Sequence, residues 1–178
     1  MSFTNQTDNN FHLAHHPIEE KITTSWEKLA GYALNFAVEY SPNKPDSLDL
    51  YFMAPIKIVG EAREASIVLE ICQTHARYLT SSMFAISENE AGNEDILDAC
   101  AELCNVFSAN IKSSIDSAAG IDLGIPENLK YEEFQTIFAT GHLELCFKGQ
   151  NKEGSVIVYL FNARLNETWT NVDSLGGL

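Results

Sequence analysis

The stretch GNEDILDACAELCNVFSANIKSSID, residues 92–116, has the periodicity of a long amphipathic helix. At about 3.6 residues per turn, its large apolar side chains fall on one broad side. That side must face a core, and it consists of Ile96, Cys100, Leu103, Cys104, Phe107, Ile111 and Ile115. Asn93 is a suitable N-cap residue for this helix. We therefore expect the fold to form around it.

The opposite side of the predicted helix is acidic and low in profile. Its polar residues are Asp95, Asp98, Glu102 and Asn105. Its small flanking side chains are Ala99, Val106 and Ala109. A side that only meets solvent more often carries long, charge-paired side chains. The helix dipole explains Asp95 in the first turn, but Glu102 and Asn105 lie too deep for capping. We therefore predict that another protein can approach this side closely.

Composition limits the classes of partner. A chain of 178 residues with 45% apolar content suits one domain with a substantial core. The formal net charge of −14 argues against nucleic acid and anionic membranes, which both require basic patches. No apolar run approaches the roughly 18–20 residues of a membrane helix, and the polar start does not resemble a signal peptide. We expect a cytoplasmic protein with neither a nucleic-acid nor a membrane partner.

The cysteines and histidines give no clear metal or catalytic site. Cys100 and Cys104 share a helix face, but their neighbours are apolar, so core packing explains them better than a metal does. His75 has no carboxylate or nucleophile at a matching spacing, so we predict a structural role for it. The polar N-terminal tail, which we exclude from the site, contains His12, His15 and His16.

Helix and strand patterns alternate along the rest of the chain. Helical spacing is found at residues 18–39 and 72–84. Strand-like segments are residues 48–59, 65–71, 142–148 and 155–161. The last two are joined by a turn-rich segment that predicts an antiparallel hairpin. Pro55 predicts a bulge, an edge or a break between two short strands. A short extended piece, residues 120–129, has turns around Gly124 and Pro126.

These elements predict an α+β fold, in which a largely antiparallel sheet packs against long α-helices. We place the domain at residues 17–165, between a flexible N-terminal tail of residues 1–16 and a C-terminal tail of residues 166–178. No internal repeat or long linker divides it.

The predicted helix also carries a recognisable motif. Asp98, Glu102 and Asn105 fit the pattern D/S-x3-E-x2-N, and the chain resembles the CheC/CheX/FliY chemotaxis phosphatases, most of all the single-motif CheX branch. The family places this motif on a long helix, after strands and a shorter helix and before a proline-containing loop and a hairpin. Pro126 lies about two residues nearer to the asparagine than the family's proline. Residues 74–87 lack the second motif of the CheC and FliY types, so one active surface per chain is implied.

The resemblance implies that the chain dephosphorylates a CheY-type receiver domain. By this comparison Asn105 positions the attacking water and Glu102 engages the receiver's lysine. Asp98 has a supporting role, while Ala99 and Ala109 let the helix approach the receiver. The chain would bring no cofactor of its own, because the receiver supplies Mg²⁺.

CheX-type members are homodimers that join the sheets of two subunits, so the resemblance also implies a dimer. The strand-like residues 142–148 and 155–161 would offer an edge for this pairing.

Two alternative hypotheses remain open. The chain could be a catalytically silent module that binds a receiver or a flagellar-switch partner. It could also be a scaffold whose acidic helix docks onto a basic partner, with strong salt sensitivity and no dependence on phosphorylation. Neither the receiver nor the pathway, chemotaxis or another two-component system, is specified by the sequence.

Overall fold

The computed structural model describes residues 15–58, 64–114 and 120–162. Its helices are α1 (His15–Ala30), α2 (Gln73–Phe84), α3 (Asn93–Lys112) and α4 (Tyr131–Thr140). Its strands are β1 (Phe36–Val38), β2 (Leu50–Ile58), β3 (Glu64–Ile71), β4 (Ile121–Leu123), β5 (Glu127–Leu129), β6 (His142–Asn151) and β7 (Gly154–Asn162). The predicted tails fall mostly outside the described residues, but residues 15–16, assigned to the N-terminal tail, belong to α1.

The strands form one antiparallel sheet with the order β1-β6-β7-β3-β2-β4, and β5 also pairs with β2. Side chains alternate between its two faces, because successive residues of a strand point in opposite directions. Helices α1, α2 and α3 pack on one face, and α4 packs on the other. This arrangement confirms the predicted α+β fold. No helix among the described residues is long and apolar enough to cross a membrane.

Helix α3 lies at the centre of the larger core. Its predicted core side is fully confirmed within the described residues: Ile96, Cys100, Leu103, Cys104, Phe107 and Ile111 are all buried. Ile115 lies outside the described residues. The N-cap is Gly92 rather than Asn93, and the Gly92 N–H donates to the Asp95 carboxylate at 2.9 Å. Asp95 therefore serves the start of the helix.

The first helix is shorter than its pattern predicts. It ends at Ala30 because Gly31 adopts the left-handed conformation, with φ of +78°, that commonly terminates helices. The chain then forms β1, which pairs with β6. Phe36 of β1 packs against Trp26 and Phe107, with ring centroids 6.3 and 5.6 Å apart. The prediction of a continuous helix over residues 18–39 is therefore wrong after Ala30.

Helix α4 was not anticipated. It begins with a capping interaction in which the Lys130 N–H donates to the Glu133 carboxylate at 2.6 Å. Phe134 and Ile137, one turn apart, are buried against the sheet. This helix covers the second face of the sheet, for which no covering helix was predicted.

The sheet order contradicts the predicted dimer edge for β7 and for part of β6, while residues 142–146 of β6 have no strand on their outer side among the described residues. Strand β7 lies between β6 and β3, so it offers no free edge. Strand β1 pairs with Phe147–Gly149 of β6, so this part of β6 is also covered. The homodimer itself stays a prediction.

Candidate functional site

Four residues of α3 form what we call the motif face: Asp98, Glu102, Asn105 and Ala109. All four are exposed. Glu102 and Asn105 are three residues apart, so their side chains are neighbours on the helix surface. Within the part of the chain that the structure describes, neither side chain makes a hydrogen bond or an ion pair. Their carboxylate and amide groups therefore point to solvent with their bonding capacity unused.

Ala99 does not belong to this face. It is completely buried in the core formed by α1, α2 and α3. Successive helix residues are about 100° apart around the axis, so Ala99 turns away from Asp98 and toward the neighbouring elements. The prediction that Ala99 lets a receiver approach is therefore wrong. Ala109 is exposed and remains a candidate for that role.

A groove of about 370 Å³ runs along the motif face. One wall is α3, and the other is the segment between β4 and β5. The groove is lined by Asp98, Ala101, Glu102, Asn105, Leu123, Gly124, Ile125 and Pro126. It thus combines two carboxylates and an amide on one side with an apolar wall on the other.

The apolar wall is a β-bulge opposite Pro55. Strand β4 pairs with Ile56–Ile58 of β2, and β5 pairs with Tyr51–Met53. Between these ladders, two residues of β2 face three residues, 124–126, so the outer strand contains one extra residue. We call residues 124–126 the bulge. Strand β2 itself continues through Pro55 without a break. Of the predicted bulge, edge or break, the structure therefore shows a bulge, which lies in the strand opposite Pro55.

Backbone geometry explains why the bulge occurs here. The Gly124 N–H donates to the Pro55 carbonyl at 2.8 Å. In a strand the N–H and C=O of one residue point to the same side, so the N–H that Pro55 lacks would also face the bulge. The outer strand therefore cannot complete a regular ladder at this point.

Gly124 is packed closely against the ring of Pro55. A Cβ atom at Gly124 would lie 2.3 Å from the Pro55 Cγ, too close for any larger residue. The next side chain, Ile125, projects into solvent and is 85% exposed. The sequence predicts turns around Gly124 and Pro126, but no site residue was predicted there. The available signal was an isoleucine between a glycine and a proline in a turn-rich segment.

His75 and the helical cysteines lie in the core, as predicted. The His75 ring is fully buried, its Nδ1 is 2.6 Å from the Tyr32 hydroxyl, and burial lowers its pKa. Burial also raises the pKa of the Cys100 and Cys104 thiols to about 12. Among residues 15–58, 64–114 and 120–162, no group of three or more His, Cys, Asp or Glu residues could hold a metal ion.

Comparison with known families gives a specific match. The profile of a family described as "Chemotaxis phosphatase CheX" matches residues 52–148, a span that includes α3 and the whole groove. No curated protein is significantly similar to the chain in sequence.

Several solved structures share the fold. A CheC-like superfamily protein from Shewanella sp. PV-4 is 13% identical with a TM-score of 0.62, and the match covers 83% of this chain and 95% of that one. A CheX–CheY–BeF3–Mg²⁺ complex from Borrelia burgdorferi gives 12% identity and a TM-score of 0.62, over 86% and 100% of the two chains. The FliM middle domain from Vibrio alginolyticus is 8% identical with a TM-score of 0.58, and the match covers 90% of this chain and 94% of that one. At these identities the likeness shows the fold alone.

Proposed function

The chain belongs to the family of the chemotaxis phosphatase CheX, and we propose that it hydrolyses the aspartyl phosphate of a CheY-type receiver domain. The observation that supports this most is the exposed pair Glu102 and Asn105, which line one groove. A relative with the same fold has been solved in complex with CheY, BeF3 and Mg²⁺. This supports a receiver domain as the partner.

The chemistry requires little from the phosphatase. An acyl phosphate already has a good leaving group, so the remaining barrier is largely that of placing a water molecule in line with the P–O bond. The Asn105 amide oxygen accepts a hydrogen bond from that water, and its NH2 group contacts the phosphoryl oxygens. The water oxygen bonds to phosphorus as the bond to the receiver's aspartate breaks, giving inorganic phosphate and a free carboxylate. In this proposal the Mg²⁺ ion belongs to the receiver.

Glu102 is assigned to binding. Its carboxylate, one turn from Asn105, accepts a charged hydrogen bond from the receiver's lysine and thereby fixes the position of α3 on the receiver. Asp98 adds negative charge at the same groove and has a supporting role. Ala109, exposed and small, allows close approach of the partner.

The test is the variant Asn105→Ala. We expect phosphate release from a Mg²⁺-bound phosphorylated receiver, measured in single turnover, to slow on the order of 100-fold, because the water is no longer oriented. The side chain is exposed, so the free energy of unfolding should change by no more than about 0.5 kcal/mol. Asn93→Ala, in the first turn of the same helix and outside the groove, is the matched control and should behave as wild type. Full activity of Asn105→Ala would refute the assigned mechanism.

A silent binding module is the second candidate. The fold also occurs in the FliM middle domain, so the fold by itself does not require phosphatase activity. Titration with a phosphorylated receiver separates the two functions. A silent module would bind this receiver without any increase in the rate of phosphate release.

A further inference from the structure

Ile125 is the most exposed of the large apolar side chains in the described residues, at 85%. Burying such a side chain against a partner is favourable relative to leaving it in water. A single exposed apolar residue is common on protein surfaces, so its position matters more than its exposure. Ile125 stands on the wall of the groove that faces Asp98, Glu102 and Asn105.

The bulge holds Ile125 in a defined place. The β4 and β5 ladders attach the chain to β2 on both sides of it. Its neighbour Gly124 is fixed by the hydrogen bond to the Pro55 carbonyl and by close packing on the Pro55 ring. A partner that buries Ile125 therefore has little loop to order, so most of the gain from burial contributes to affinity.

We propose that Ile125 is the apolar anchor of the receiver-docking surface. This proposal rests on the proposed function, since it assigns the second wall of the same groove to the same partner. Ile125, with Pro126 and Leu123 beside it, packs against an apolar side chain of the receiver next to the phosphorylated aspartate. The acidic wall meanwhile binds the receiver's lysine.

The two walls of the groove together indicate which kind of partner fits it. Stable interfaces combine a desolvated apolar centre with polar groups at its rim, and a few residues dominate their energy. A partner that fills this groove must present a cation and an apolar group side by side. A receiver that brings its lysine to Glu102 places the adjoining surface on the bulge, because both walls line one groove.

The test compares Ile125→Ser with wild type, using a purified receiver domain of the host in its beryllofluoride form with Mg²⁺, and in parallel its phosphorylated form. We expect the dissociation constant and the KM to rise about 10-fold, while the rate at saturating receiver stays within twofold of wild type. The conservative variant Ile125→Leu should retain most of the wild-type affinity for the receiver. Leu48→Ser is the matched control, because Leu48 is also an exposed aliphatic residue, at 74%, and does not line the groove.

The two readouts separate this proposal from the proposed function. If wild type binds the receiver but releases no phosphate, and Ile125→Ser still weakens binding, the anchor stands and the catalytic function fails. If Asn105→Ala slows phosphate release as expected but Ile125→Ser binds as wild type does, the catalytic function stands and the anchor is refuted. A lower saturating rate without loss of affinity also refutes the anchor. If wild type binds no receiver domain of the host, both proposals fail.

Discussion

Glu102 is exposed on α3, and its carboxylate has no hydrogen-bond or ion-pair partner among the residues that the structure describes. Exposed ion pairs within one protein contribute little, because water screens both charges. The same carboxylate gains more when a partner excludes water around it. We therefore expect the Glu102 carboxylate to contribute to the free energy of binding rather than to the stability of this chain.

For Glu102→Gln we expect receiver binding to weaken by about 1–3 kcal/mol, because a charged hydrogen bond to the receiver's lysine is lost. The rate of phosphate release at saturating receiver should also fall, since α3 is less well positioned on the receiver. Titration and single-turnover phosphate release measure the two effects. Glu88→Gln removes the same charge from an exposed position outside the groove. If it weakens binding equally, the Glu102 effect is only one of net charge.

Most of the motif face could be predicted from the sequence, whereas Ala99 was assigned to the wrong side of the helix and Ile125 was not predicted as a site residue. A helical pattern orders residues around one axis, but it does not say how far the neighbouring helices extend over the flanks. Ala99 lies on such a flank and is buried. The position of Ile125 depends on the register of β4 and β5 against β2, which is set by pairings between residues far apart in the chain.

At the scale of elements, the errors have definite causes. The apolar spacing of helix one continues past Gly31, because Leu34 and Phe36 fill the same core from a loop and from β1. Gly31 was the available stop signal. Helix α4 had Glu132 and Glu133 in its first turn and apolar residues at helical spacing, but it is only 10 residues long. A segment this short gives a weak periodic signal.

The second face of the sheet contains a buried carboxylate. Glu70 of β3 is 3% exposed, and it accepts hydrogen bonds from the hydroxyls of Tyr159 and Tyr51 at 2.5 and 3.3 Å. Burial raises the pKa of Glu70, and these hydrogen bonds partly oppose the shift. Burial and, to a lesser extent, the nearby charge of Glu70 raise the pKa of Asp49 to about 7. The carboxyl groups of Asp49 and Glu70, beside the tyrosines of β2 and β7, thus favour the protonated form.

We expect Asp49→Asn to stabilise the protein at alkaline pH. A carboxyl group whose pKa rises on folding contributes stability that is fully present below its unfolded pKa of about 4. This contribution is lost as the pH rises through the folded value of about 7. Because Asp49 is only half-buried, water screens the charge, and we expect a gain on the order of 1 kcal/mol at high pH.

Denaturant unfolding at about pH 5 and about pH 8 measures this effect. The stability of wild type should decline more steeply between the two pH values than that of Asp49→Asn. Asp98→Asn, a change of the same kind at an exposed residue without a partner in the described chain, should leave the slope unaltered. Equal slopes for wild type and Asp49→Asn would show that Asp49 titrates normally.

At the scale of the whole molecule, the strand order was beyond sequence analysis. The three-residue β1 follows helix one, yet it pairs with β6, more than 100 residues later. The hairpin of β6 and β7 is a local feature and was predicted, but its insertion between β1 and β3 is not local. The helix and strand patterns predicted the α+β class of fold, whereas the groove depends on strand pairings between residues far apart in the chain.

The formal net charge of −14 gives the final prediction, which concerns association with the receiver. Long-range attraction speeds encounter with a partner that presents positive groups, and salt screens it over about 10 Å at 0.1 M. From about 50 mM to about 300 mM salt, we expect the association rate constant to fall several-fold and the dissociation rate constant to change little. Stopped-flow binding to the beryllofluoride form and to the unmodified receiver measures both constants. Binding through Asn105 and Glu102 requires preference for the beryllofluoride form at every salt concentration. Equal, salt-sensitive binding of both forms would instead identify an acidic scaffold that docks by charge alone.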